Sequence, residues 1–177
     1  MHDILYAIEN NFEIQIKHQS YWKDNPEVRI IQPIAIKESQ NRWYLICIDI
    51  SKKAFRNFGL DRIQKLEILN QKFKPIEFDI TTYYQNAFGI ETYEPAVKII
   101  LNFNNDQSKY IKSLPLHTSQ KIIFENKDWC QFEYYMHPTN DLIMEIMKYG
   151  DSVKVEKPLS LKEDVRNRII NTLNLYN

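Results

Sequence analysis

The chain has 177 residues, 44% hydrophobic and 13% aromatic, and its 23 basic and 23 acidic residues cancel to a formal net charge of zero. That length suits two compact domains, and neutrality argues against a generic nucleic-acid coat. The only glycines, Gly59, Gly89 and Gly150, are far apart, which excludes the glycine-rich loops that cradle phosphates in P-loop and dinucleotide-binding enzymes.

The neutral total hides an asymmetry. Residues 1–75 carry 12 basic against 9 acidic side chains, and residues 76–177 carry 11 against 14. Between Arg42 and Lys65 the ratio is six to two. Such a split points to an anionic partner for the first half. Cys47 and Cys130 lie in apolar or aromatic runs without a CxxC partner, so no zinc or redox cofactor is expected and a reducing cytoplasm suits them. No apolar run approaches the ~20 residues of a membrane span.

In chain order, Asp3 is expected to cap a helix over Ile4 to Asn10. Phe12, Ile14 and Ile16 alternate with polar residues as a half-buried strand. Residues Tyr21 to Glu27 read as a loop. Val28 to Lys37 is a strand that is either an edge or bent at Pro33. Arg42 to Ile50, Ala54 to Phe58 and Arg62 to Leu69 complete five short strands, with Gly59 at a bend, and a small β-barrel is predicted for residues 1–75. After Lys74-Pro75 the pattern changes. A helix is predicted over Thr81 to Ala87, then a strand from Pro95, a helix from Gln107, two strands joined by Asn126-Lys127-Asp128, a helix capped by Asn140 and stopped by Gly150, a strand from Ser152, and a last helix with Leu161, Val165, Ile169 and Leu173 on one stripe. The β-α-β-β-α-β order makes residues 76–177 a ferredoxin-like sandwich, so the fold class is α+β.

Two stretches carry the functional argument. In Trp43-Tyr44-Leu45, alternation sends Trp43 and Leu45 to the core and Tyr44 toward a groove or a neighbouring element. In Arg56-Asn57-Phe58-Gly59-Leu60-Asp61-Arg62-Ile63, the bend at Gly59 can bring Arg56 and Arg62 toward one point. Paired guanidiniums suit phosphate or carboxylate, and an aromatic beside them can stack on a base. The bland alternative pairs these arginines with Asp49 or Asp61, and Asp61 reads as an orienter of an arginine or a turn cap. His117 and Ser119, ahead of Gln120, invite a catalytic reading, but no acidic residue is near in sequence and no G-x-S-x-G turn exists.

With Pro33, the Trp-Tyr-Leu tripeptide and the Arg-x-Phe-x-Leu-Asp-Arg-Ile stretch, the chain resembles the WYL-domain family of bacterial transcription regulators. Phe88-Gly89-Ile90, the segment Leu114 to Gln120, Lys148-Tyr149-Gly150 and Val155 to Leu159 resemble the WCX extension that follows it. The resemblance implies an Sm-like, SH3-type barrel and a sensor of single-stranded DNA or RNA, or of a nucleotide. Tyr44, Arg56 and Arg62 are the implied ligand-facing residues, with Arg29, Arg42 and Lys65 extending the field. His18 stands where many members carry tyrosine; it can stack when neutral or meet a phosphate when protonated. His117, Ser119 and Gln120 are second-domain candidates for a ligand or subunit contact. The resemblance also implies a homodimer, and duplex DNA contact only through an N-terminal winged helix that these residues do not include. A protein-interaction module, or an enzyme on a small anionic substrate with His18 as base, are the other classes.

Overall fold

The computed structural model describes residues 1–177, and they divide into two units, Met1–Tyr83 and Tyr84–Asn177. In the first unit, helix α1 (His2–Asn10) precedes strands β1 (Phe12–His18), β2 (Glu27–Ser39), β3 (Arg42–Asp49), β4 (Ala54–Gly59) and β5 (Ile63–Lys72), and helix α2 (Ile80–Tyr84) ends it. The strands make one antiparallel sheet in the order β4-β3-β2-β1-β5. No ladder joins β4 to β5, so the closed barrel is not formed as a hydrogen-bonded ring.

The apolar alternation of β1 is met: Ile14 and Ile16 are buried with Ile4, Ala7, Ile31, Leu45 and Cys47 in one core, covered by α1. Strand β2 lies between β1 and β3, and of the two expectations for Pro33 it is the irregularity at the proline that is found: a register shift between Pro33 and Ala35 absorbs the N–H that proline lacks. Two expectations need correction. The N-cap of α1 is Met1, and Asp3 lies in its first turn. Trp43 is 51% exposed, because it pairs with Glu38 near the tip of the long β2–β3 hairpin, beyond the part of the sheet that the core covers.

The end of this sheet where β2 begins and β3 finishes is also pinned by charge. Arg29 donates to Glu27 at 2.9 Å, to Asp49 at 3.3 Å and to Ser51 at 3.2 Å. Burial alone would raise Asp49, but hydrogen bonds from Ser51 and Lys52, with Arg29 nearby, bring it below the ordinary aspartate value. Glu27, held by Lys23 and Arg29, falls from 4.5 to about 2.

The second unit has strands β6 (Val97–Asn104), β7 (Lys121–Glu125), β8 (Trp129–Met136) and β9 (Val153–Lys157), with helices α3 (Asn105–Ser113), α4 (Asn140–Lys148) and α5 (Leu159–Asn174). The chain order is β-α-β-β-α-β and the sheet order β7-β8-β6-β9, all antiparallel. Asn126 closes the β7–β8 turn by accepting from the N–H groups of Asp128 and Trp129. The core is built from Leu101, Phe103, Phe132 and Tyr134 of the sheet against Leu142, Ile146 and Val165 of the helices. Phe103 meets Phe132 and Tyr149 edge-on, contacts worth about 0.5–1.5 kcal/mol each beyond area. The stripe on α5 is only half used: Leu161 and Val165 are buried, while Ile169 and Leu173 are exposed.

Helix α4 is capped from a distance. Its N-cap is Thr139, not Asn140, and that side chain makes no capping bond. Instead the N–H of Asp141 donates to Glu91 and that of Asn140 to the Tyr93 hydroxyl, both at 3.0 Å. Asp141 in return accepts from the Ile90 N–H at 2.9 Å. A Cβ on Gly89 would stand 2.2 Å from the Asp141 carboxylate, so only glycine lets the loop approach this closely. The Phe88-Gly89-Ile90 segment is thus a clamp on the helix end.

Two outcomes follow. Asp141→Ala removes a carboxylate acceptor from the Gly89 loop and costs about 1–3 kcal/mol, read by urea denaturation. Glu27 has a depressed folded pKa, so its contribution is complete above 4.5 and is lost as pH falls toward 2; Glu27→Gln flattens that part of the stability–pH curve.

Candidate anion-binding site on the first unit

The structure gathers Tyr21, Arg42, Asp61 and Arg62 around Gly59. The bend is a single 3-10 turn, Leu60–Arg62, between β4 and β5. It returns Arg62 over Gly59, where a Cβ would stand 2.6 Å from Nη2 of Arg62 and 2.7 Å from Oδ1 of Asp61. Asp61 is shared: Oδ2 accepts from Arg42 Nη1 at 3.2 Å, and Oδ1 lies 3.7 Å from Arg62 Nε. The expectation that Asp61 orients an arginine is met twice over. The Tyr21 hydroxyl reaches the same carboxylate at 3.4 Å, and the Arg62 guanidinium stands 5.1 Å from the centre of its ring. The Tyr21 hydroxyl, then Asp61, raise Arg42 above the ordinary arginine value.

Two guanidiniums against one carboxylate leave this cluster with an excess positive charge. Arg62 Nε is buried and has no hydrogen-bond partner, since 3.7 Å is too long for one. Next in sequence to Tyr21, Trp22 is 93% exposed.

The remaining predicted residues separate into groups. Arg56, on β4 opposite Cys47, is exposed and is the one arginine of the first unit that pairs with no carboxylate. It does not share the surroundings of Arg62. By alternation it faces the Cys47 and Phe58 side, whereas Arg62 packs where a Gly59 side chain would project. The expected convergence of two unengaged guanidiniums is therefore not what the bend produces; the turn folds Arg62 back onto its own neighbour, Asp61. Tyr44 is half-buried on β3 opposite Gly59, close enough to Arg42 to act on its charge. Lys65 is exposed on β5, 4.0 Å from Glu67. Arg29 is committed to the ion pairs of the sheet end described above.

His18 ends β1, 9% exposed, and meets Phe58 edge-on at 4.9 Å. Burial, then the Arg62 charge, lower its pKa, so the ring is neutral at neutral pH, and its Nε2 is buried without a partner.

In the second unit, the Ser119 N–H donates to His117 Nδ1 at 3.1 Å, and Ser119 Oγ lies 2.8 Å from the same nitrogen. Burial lowers His117, against a hydrogen bond with the Gln85 backbone. Ser119 Oγ accepts from the Tyr135 N–H at 2.9 Å. Gln120 accepts from the Leu116 N–H and the Tyr134 hydroxyl and donates to the Ile111 carbonyl. These bonds pin the loop before β7 to the strand and helix it crosses.

Sequence reading missed Tyr21 and Trp22. Both lie in a stretch that reads as a loop, and nothing local signals that Tyr21 will meet Asp61, forty residues on. The consecutive exposed aromatics were the only trace.

Comparison with known proteins places this geometry. The WYL domain model matches residues 1–68 and the WCX domain model residues 95–172. No curated protein matches the chain. Among solved structures, proteasome accessory factor B/C (PafBC) of Arthrobacter aurescens aligns at 22% identity and TM-score 0.45, over 93% of this chain and 25% of its own. A structure described as a CRISPR Cas-related protein aligns at 12% identity and TM-score 0.60, over 99% of this chain and 50% of its own. The chain thus spans a quarter to a half of these structures, and the second likeness bears on fold alone. No helix is long and apolar enough to cross a membrane. The chain belongs to the WYL-domain family, with a WYL domain at residues 1–68 followed by a WCX domain at residues 95–172.

Proposed function

We propose that this chain is the effector-sensing region of a WYL-type transcription regulator and that its effector is a single-stranded oligonucleotide or a nucleotide. The observation that carries this reading is the pair Arg42 and Arg62 sharing the single carboxylate of Asp61, beside Tyr21 and its exposed neighbour in sequence, Trp22. Excess cationic charge with open donors suits a phosphate. An exposed indole and the Tyr21 ring offer flat faces to bases.

In this reading the first sheet is an Sm-like, SH3-type barrel opened between β4 and β5, and the effector lies across the turn that joins them. Arg42 and Arg62 take one phosphate while Asp61 keeps both guanidiniums in place. Trp22 stacks, and Trp43, exposed on the other face of β3 from Arg42, is left out of the site. Arg56 and Lys65 lie further along the two edge strands and attract neighbouring phosphates. Tyr44, two residues along the same strand and on the same face, supports Arg42, and neutral His18 packs under the turn rather than meeting charge. Effector binding then shifts the balance between two arrangements of a homodimer, which requires a different affinity for each.

Fluorescence anisotropy of a labelled ten-nucleotide single strand, at two salt concentrations, tests this. Binding that weakens with salt is expected, and no binding at low salt removes the reading. Arg42→Ala flattens the logarithmic salt slope by about 0.7, one phosphate contact on a single strand. Trp22→Ala costs about 1–3 kcal/mol of affinity, the worth of one stacked base, and leaves thermal stability unchanged. Gly59→Ala drives its methyl into Arg62 and Asp61, so affinity falls even though both arginines remain; Arg29→Ala does the opposite, lowering stability with little change in binding.

A further inference from the structure

Helix α5 carries two stripes. Leu161 and Val165 face the core, and a polar stripe runs beside them at helical spacing: Ser160, Asp164, Asn167, Arg168 and Asn171. The polar stripe is one wall of a cleft of about 520 Å³, which is completed by the start of α4 and by Tyr93 and Glu94 of the loop before β6. Buried Ile143 and Leu161 form its base. A volume of that order lies in the range of small-molecule sites.

The charges in this cleft do not cancel one another. Asp164 and Arg168 stand one helical turn apart, the spacing at which an acid and a base ordinarily pair, yet no ion pair joins them. Arg168 is drawn across to α4 instead, where it donates to Asn140 Oδ1 and, at 3.4 Å, to Met144 Sδ. Both partners are neutral, so the guanidinium is held in position with its charge uncompensated and with further N–H groups to donate. Asp164 and Glu94 line the same cleft, and neither carboxylate is paired with a cation. The helix end adds no free donor, because the N–H groups of Asn140 and Asp141 are taken by Tyr93 and Glu91.

We propose that this cleft binds a free α-amino acid as its zwitterion, with the carboxylate on Arg168, the ammonium on Asp164 and the side chain over Ile143 and Leu161. An anion alone would meet two like charges here, and a cation alone would meet Arg168. A ligand that bears both signs satisfies each of them, through charge-assisted hydrogen bonds at both ends. One helical turn sets the two Cβ atoms about 5–6 Å apart, a gap suited to two charged groups carried on a single carbon. Glu94 reinforces the pull on the ammonium, and the amides of Asn167 and Asn171 can both donate and accept. The site lies wholly within the second unit and does not rest on the effector reading of the first.

Isothermal titration calorimetry of the full chain with each proteinogenic L-amino acid in turn is the first readout, and saturable binding of at least one is expected. Its N-acetyl derivative lacks the cation and its amide lacks the anion, so each binds about tenfold more weakly or less. Two substitutions separate the ends. Asp164→Asn weakens the free amino acid about tenfold but leaves the N-acetyl derivative no weaker, since that form never used the carboxylate. Arg168→Gln weakens the free and N-acetyl forms alike and the amide little. Asp164 bonds to nothing within the chain, so its variant keeps the parent's thermal unfolding and reports on the ligand alone. A chain that binds no amino acid, an N-acetyl derivative that binds as tightly as the free form, or binding indifferent to Asp164→Asn overturns the proposal.

Discussion

A carboxylate shared by two guanidiniums organises the functional end of the first unit. Asp61 accepts from Arg42 on β3 and faces Arg62 one residue along the turn. Without it, two cations and the Tyr21 loop would have no common point, and like charges would drive the arginines apart. The arrangement also depends on an absence: Gly59 has no side chain, so Arg62 can lie against the backbone. The charge arithmetic leaves the cluster positive, and that excess is what an anionic effector would meet. Surface ion pairs of this kind add little stability, about 0–1 kcal/mol, so their value here is placement.

The two units spend their polar groups differently. In the first, Arg29, Asp49, Ser51 and Glu27 form a network that secures the ends of β2 and β3, and a separate set of cations remains at the turn. In the second, most of the conspicuous polar side chains in the loops are consumed internally. Gln120 ties the loop before β7 to α3 and β8, His117 and Ser119 brace the same loop, and Glu91 with Asp141 fastens the Gly89 loop to α4. The second unit also leaves apolar surface uncovered, at the β7 edge and the outer half of α5.

Much of this was legible in the residues because it rests on local periodicity. The alternation of Phe12, Ile14 and Ile16, the Asn126-Lys127-Asp128 turn and the β-α-β-β-α-β order all follow from patterns a few residues long. The failures involve partners distant in sequence. Trp43 alternates like a core residue, but the hairpin carries it past the covered sheet. Asn140 looks like a cap, but Glu91 and Tyr93 supply the acceptors from fifty residues upstream. Arg29 resembles the other basic residues, and only the fold reveals that Asp49 and Glu27 claim it. Tyr21 lies in an unremarkable loop until the turn after β4 arrives beneath it. For the same reason Arg56 and Arg62 could be identified as a pair from their motif, while their different surroundings could not.

The most direct test observes the arginines themselves. A proton–nitrogen NMR spectrum of the chain, recorded as a short single-stranded oligonucleotide is added, reports the Arg62 Nε–H and the indoles of Trp22, Trp43 and Trp129. The account predicts that Arg62 and Trp22 shift together and saturably, while Trp129 in the second unit stays still. Saturable binding that leaves Arg62 and Trp22 unmoved would contradict it.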